Sequence, residues 1–169
     1  MILPIVKYGH PVLHAPAQPV ETVTPEIRTL VDDMFETMYA APGIGLAATQ
    51  VGVPLRVLVI DLSVGKHAGQ QIHLINPVFV LREGGQYEDE GCLSVPGYTA
   101  RVHRDARVIV EGLDRDGKAA RHDATGLLAR AFQHEIDHLD GRVYVDHLRG
   151  LKRQLILRGI AKRQRKGAW

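Results

Sequence analysis

The sequence predicts an α+β fold in which short, mainly antiparallel strands pack around one central helix, with an N-terminal helix and a basic C-terminal helix beside them. Three observations carry this. Apolar residues recur at helical spacing early in the chain and again in its last third, and several short β-branched runs bounded by Gly, Pro and Asp lie between. The order helix, strands, helix, helix does not alternate as a doubly wound parallel sheet would. A chain of 169 residues is enough for one domain with a real core and does not call for two.

Taken in order, Thr24-Pro25-Glu26 reads as a cap and first turn, because proline at the first helical position sacrifices no needed N–H. Ile27, Leu30, Val31, Met34 and Met38 then keep helical spacing until Pro42-Gly43, which predicts a helix over about 25–40. Strands are expected at 55–61, 72–75, 78–81 and 106–113, and the Asp-Gly within 114–118 supplies the positive φ of a tight turn into a further strand. Thr125 or Asp123 caps a second helix that Leu127, Leu128, Ala131, Phe132 and Leu139 bury and Gly141 ends. A last helix is expected over about 146–165, with Leu148, Leu151, Leu155 and Ile156 on its docked side.

Hydrophobic residues at 45% and charged ones at 24% exclude a disordered or fibrous chain. Apolar runs are short and the first residues lack a leader pattern, so neither secretion nor a membrane span is expected. The single cysteine, Cys92, excludes an internal disulfide and fits a reducing, cytoplasmic setting. The charge is uneven. Residues 147–169 hold eight Lys or Arg and no acid, while residues 1–146 carry a net charge of −6. A body over 1–146 with a basic helix over 147–169 packed on it or extending from it is the expected organisation. Such a helix is either a solvated face or a surface drawn to the phosphates of ribosomal RNA.

The chemistry is concentrated in "QHEIDHLDG" at 133–141. On a helix, His134 and His138 share a face and reach one ion, while Glu135 sits one step round, able to contact water at that ion. A catalytic metal site typically takes three protein ligands and keeps one position open. The longer metalloprotease pattern fails at its third ligand, because Tyr144 stands where a histidine belongs and His147 comes three residues late. Cys92, in "EGCLSVPG", is the better candidate, against the plain alternative of a small buried hydrophobe. Three functions fit at this point: a metal-dependent amide hydrolase, an internal protease, and an RNA-binding module stapled by a metal.

Three blocks together, "GIGLAATQVG" at 43–52, "EGCLSVPG" at 90–97 and "QHEIDHLDG" at 133–141, resemble the peptide deformylase family along nearly the whole chain. The resemblance implies hydrolysis of the formyl group from the N-formylmethionyl end of nascent polypeptides. It implies one divalent cation on Cys92, His134 and His138, with ferrous iron expected first and zinc, nickel or cobalt as substitutes. Glu135 is expected to move the proton, and the Gln50 side-chain amide and Leu93 N–H to receive the developing negative charge. Gly43, Ile44 and Gly45 are expected to pair with substrate backbone, with Gly91 also at the site. Leu127 and Ala131 are expected to line the methionine pocket. Thr49, Glu88 and Thr99 depart from residues found in some members, namely proline, an apolar residue and arginine, and bear on the pocket rim.

Overall fold

A computed structural model describes every residue, Met1–Trp169. Helix α1 spans Pro25–Ala40, where the Thr24 hydroxyl accepts the Ile27 N–H at 3.4 Å, so both expected boundaries hold. Strands β1 (Gly45–Ala47), β2 (Val57–Ile60), β3 (Ile72–Glu83), β6 (Arg107–Leu113) and β7 (Ala119–Thr125) form one antiparallel sheet in the order β1-β2-β3-β6-β7. Strands β4 (Gln86–Gly91) and β5 (Thr99–Arg104) make a separate antiparallel pair. Helix α2 spans Gly126–Leu139 and helix α3 Gly150–Arg165.

The run "VLVI" is apolar throughout because both faces of β2 are covered. Leu58 and Ile60 pack with Phe132 and Ile136 of α2, while Val57 and Val59 pack with Val31, Met34 and Met38 of α1. The sheet is thus held between the two helices, which fixes where α2 lies against the edge strand β1. At the end of β2, Asp61 donates its N–H to Ile44 and its carboxylate accepts from Tyr39 and Ser63, anchoring the strand that opens onto the site.

The α+β class and the central helix are as expected, with four local differences. The two runs at 72–75 and 78–81 belong to one strand, β3, joined through an irregularity at Asn76. Asn76 adopts positive φ and its side chain both accepts from and donates to Val20. Strands β4 and β5 were not expected, since β4 is acidic and β5 is rich in charge. Neither expected side-chain cap forms: Thr125 occupies the N-cap of α2 without a hydrogen bond from its hydroxyl, and Asp123 lies in β7 paired with Arg107. The last helix also begins later. A 3-10 turn, Tyr144–His147, comes first, with the Asp146 carboxylate accepting the Val143 N–H, and α3 starts only at Gly150.

This late start rotates α3 relative to the expected stripe. Ile156 and Ile160 are buried with Val95, Val102 and Tyr144, and Leu148 packs at their side, whereas Leu151 and Leu155 are 67% and 54% exposed. Arg163 donates to the Pro96 carbonyl and lies over the Tyr98 ring, and Trp169 donates to the Tyr8 carbonyl, so the basic helix is docked on the body. In urea denaturation, Ile160→Ala is expected to cost about 2–5 kcal/mol, whereas Leu155→Ala stays within about 0.5 kcal/mol. Equal losses would contradict this docking.

Candidate metal centre and active-site pocket

Cys92 follows β4 in a turn in which Val95 N–H donates to the Cys92 carbonyl at 2.9 Å. His134 and His138 lie one turn apart on α2, as their spacing requires. Their Nε2 atoms are 3.2 Å apart, Cys92 Sγ is 3.3 Å from His138 Nε2, and the three donor atoms all lie within 4.8 Å of one another. One sulfur and two imidazole nitrogens thus converge on a single point, a donor set suited to zinc or iron. Burial holds His138 well below its ordinary pKa, which keeps it a neutral donor. The Ser94 N–H donates to Cys92 Sγ at 3.4 Å, and the Gln50 amide approaches it at 3.6 Å, so both hold the sulfur in position.

Glu90 is the residue that sequence reasoning missed. Its carboxylate, 5% exposed, meets His134 Nδ1 at 2.8 Å, accepts two hydrogen bonds from Arg104 and takes another from Arg130. Burial opposes its ionisation, but Arg104 and His134 outweigh that and hold its pKa well below the usual carboxylate range. An ionised partner on Nδ1 keeps the proton there and leaves Nε2 free as a donor atom. Arg104 continues to Asp137, which also pairs with His147. Asp137 is therefore an inward-facing ion-pair member, and His147 is tied to it rather than to the donor cluster. Asp137 is 16% exposed and held by Arg104 of β5, whereas Asp140 pairs with Arg56 near solvent. The available signal was the position of Glu90 two residues before Cys92, but carboxylates are so seldom buried that the type alone does not announce it.

Glu135 turns away from the ligand pair towards β1. Its carboxylate is 5% exposed, Oε1 lies 3.8 Å from His134 Nε2, and Oε2 is buried without a protein partner. Burial pushes its pKa up to about 7, with nearby His134 pulling the other way. A Cβ placed on Gly45 would come within 3.0 Å of Glu135 Oε1, and one on Gly43 within 2.7 Å of Leu93 Cδ1. Glycine at 45 leaves room for the Glu135 carboxylate, and glycine at 43 for the Leu93 side chain.

A cavity of about 340 Å³ opens at this centre. Gly43, Ile44 and Gly45 form one wall and Gly91 to Leu93 another, with Leu127, Ala131, His134 and Glu135 of α2 between them. Strand β1 is an edge of its sheet and β4 is paired on one side only, so both walls present free strand edges. Gln50 is buried; its Oε1 accepts the Ala47 N–H at 3.0 Å, and its Nε2 donates to Ser94 Oγ at 3.1 Å. The Leu93 N–H donates to no backbone carbonyl. All the sequence-predicted site residues line this one cavity except His138, which lies buried behind it as a donor. Leu127 is 52% exposed at the mouth instead of in the core. Of the three departures, Glu88 is exposed beside the cavity, Thr99 faces a different cleft, and the buried Thr49 hydroxyl donates to the His138 carbonyl at 3.4 Å.

Because Glu90 fixes the donor tautomer, Glu90→Gln is expected to lower divalent-metal affinity about 10–100-fold in competition with a chromophoric chelator. Unchanged affinity would show that His134 is oriented without it.

The sequence pattern of the family described as polypeptide deformylase matches residues 2–154. A peptide deformylase of Acidobacterium capsulatum is 53% identical, covering 100% of this chain and 99% of its own length. The crystal structure of a peptide deformylase from Legionella pneumophila superimposes with a TM-score of 0.92 at 45% identity, over 99% of this chain and 98% of that one. That of the Ehrlichia chaffeensis peptide deformylase in complex with actinonin gives 0.88 at 41%, over 97% and 98%. Family pattern, relatives and solved structures agree over almost the full length, and the chain belongs to the polypeptide deformylase family.

Proposed function

We propose that the chain removes the formyl group from N-formylmethionine at the start of nascent polypeptides, releasing formate, with Cys92, His134 and His138 holding one divalent cation. The observation that carries this reading is a sulfur-and-two-imidazole corner beside an unpartnered, buried carboxyl at the meeting of two free strand edges. Ferrous iron is the cation expected from the family resemblance, with zinc, nickel and cobalt compatible with the same donors. When bound, the cation supplies Lewis acidity, polarising a carbonyl oxygen and lowering the pKa of water towards neutrality.

The chain's own groups divide the remaining work. Glu135 takes a proton from water as its oxygen adds to the formyl carbon, then gives that proton to the amide nitrogen as the C–N bond breaks. Formate leaves and a free amine remains. A carboxyl raised to about 7 suits a group that must accept and release a proton near neutrality. Negative charge gathers on the former carbonyl oxygen, and the Gln50 amide and Leu93 N–H are the donors that receive it. Val6 donates to the Gln50 carbonyl and Tyr8 to that of Ser94, each at 2.8 Å, so the N-terminal segment braces this side of the site. The edges at Gly43, Ile44, Gly45 and Gly91 hold an extended peptide by strand pairing, and Leu127 and Ala131 receive the methionine side chain.

Residues 1–146 carry this chemistry, and 147–169 pack on the same body through Ile156 and Ile160. Seven of the eight basic residues there are exposed, as are Leu151 and Leu155, which supports attraction to ribosomal RNA. No helix is long and apolar enough to cross a membrane. The single thiol supports a cytoplasmic setting.

Glu135→Ala is expected to keep its metal while formate release from a formyl-Met peptide falls to near background; retained turnover would remove Glu135 from the proton-transfer role. Gln50→Ala is expected to lower kcat about 10²–10³-fold with a small change in KM, the pattern of a donor engaged chiefly in the transition state. A loss confined to KM would place Gln50 in binding instead.

A further inference from the structure

Alternation along the β4–β5 pair puts Tyr87, Asp89, Arg101 and His103 on the face opposite Glu90 and Arg104. There they line a second cleft, of about 720 Å³, whose other side is the start of α3 with Arg149 and Lys152. Its charge is unbalanced. Arg82 and Arg121, exposed on β3 and β7, each meet a carboxylate, whereas Arg101, Arg149 and Lys152 are exposed here and enter no ion pair. Asp89 is the single acid in the lining, and it stands across the strands from Arg101 without pairing to it. Helix α3 adds to the field, since no side chain caps it and its first turn holds no acid, which leaves the positive end of its dipole uncompensated.

Cations gathered in a concave surface without counter-charges of the protein's own repel one another, and an anion relieves that repulsion. The wall beside them is aromatic. Tyr87, 46% exposed, stacks on His103 with ring centroids 4.1 Å apart and planes inclined by 8°, and the Arg101 guanidinium lies 5.0 Å from the Tyr87 centroid. An exposed aromatic platform next to a cationic groove is the combination that suits a nucleotide, with its base on the rings and its phosphate on the cations. The carboxylate of an acidic peptide would satisfy the charges and leave the rings without an occupant. The volume is that of a small-molecule site, enough for one nucleotide and too little for a duplex.

We propose that the cleft between the outer face of β4–β5 and the start of α3 binds a nucleoside monophosphate unit, its base layered on Tyr87 and His103 and its phosphate held by Arg101, Arg149 and Lys152. The unit is either free or one link of a single-stranded RNA. The site is separate from the metal centre, with Asp89 alone lining both cavities, and it stands whether or not the chain is a deformylase.

The test is titration calorimetry on the metal-loaded full-length protein with uridine monophosphate, inorganic phosphate, uridine, an aspartyl-aspartate dipeptide and pentauridylate as probes. The monophosphate is expected to bind about tenfold or more tighter than phosphate or uridine alone. Tyr87→Ser brings the monophosphate to the level of phosphate, while phosphate itself binds as before and so reports an intact cleft. Arg149→Gln combined with Lys152→Gln weakens both about tenfold or more. Lys162→Gln combined with Arg165→Gln removes as much charge from the far end of α3 and leaves monophosphate binding unmoved. Tighter binding of pentauridylate than of the monophosphate, with a steep salt dependence, supports the site with RNA as the source, and no gain over the monophosphate supports it with free nucleotide as the source. The inference is overturned if neither binds saturably, if phosphate or the aspartate dipeptide matches the monophosphate on the wild type, if Tyr87→Ser changes nothing, or if the two charge variants lose binding equally.

Discussion

One buried carboxylate, Glu90, orders much of what surrounds it. From β4 it reaches His134 on α2, Arg104 on β5 and Arg130 on α2, and Arg104 passes the link to Asp137 and His147. The β4–β5 pair is therefore joined to the ligand helix by charges that have lost most of their water. Such an arrangement holds only while it is complete, because removing one member strands the others unpaired at low dielectric. The same carboxylate sets which nitrogen of His134 is free. Donor geometry and the attachment of a whole hairpin thus rest on one group.

The remaining parts are placed by ordinary packing. Double-sided burial of β2 fixes α1 and α2 on opposite faces of the sheet, and the register of β2 with β1 brings Gly45 opposite Ile60, close beside Glu135. His134 and Glu135, adjacent in sequence, diverge by about 100° around α2. One faces the sulfur and the other the strand edge. Two neighbouring residues thereby serve different purposes without competing for the same space, and neither stands on a mobile loop.

The parts of this arrangement legible in the sequence are those with a short-range signature. Thr24-Pro25 and Pro42-Gly43 bracket α1 correctly, and four-residue spacing places His134 and His138 on one face. Cys92 became convincing through the company it keeps in "EGCLSVPG" and the need for a third donor. Strand β4 was illegible because "QYEDEG" carries more acid than a strand ordinarily does; its stability comes from pairing with β5 and from Arg104 and Arg130, partners distant in sequence. The docked face of α3 was misjudged for a related reason. A periodic stripe including Leu151 and Leu155 is plausible until the 3-10 turn before Gly150 sets the helix's starting angle.

The bare backbone at Gly43 and Gly45 bears on how this site can change over time. With Leu93 and Glu135 pressed to within 2.7 and 3.0 Å of where a methyl group would stand, that wall cannot be thickened to exclude an unwelcome occupant without disturbing the residues that do the work. Mutational escape from a pocket-filling inhibitor is thereby steered to the mouth, where Leu127 and Glu88 stand in solvent. A compound that grips the glycine wall and leaves the mouth untouched presses on the part of the molecule least free to evolve.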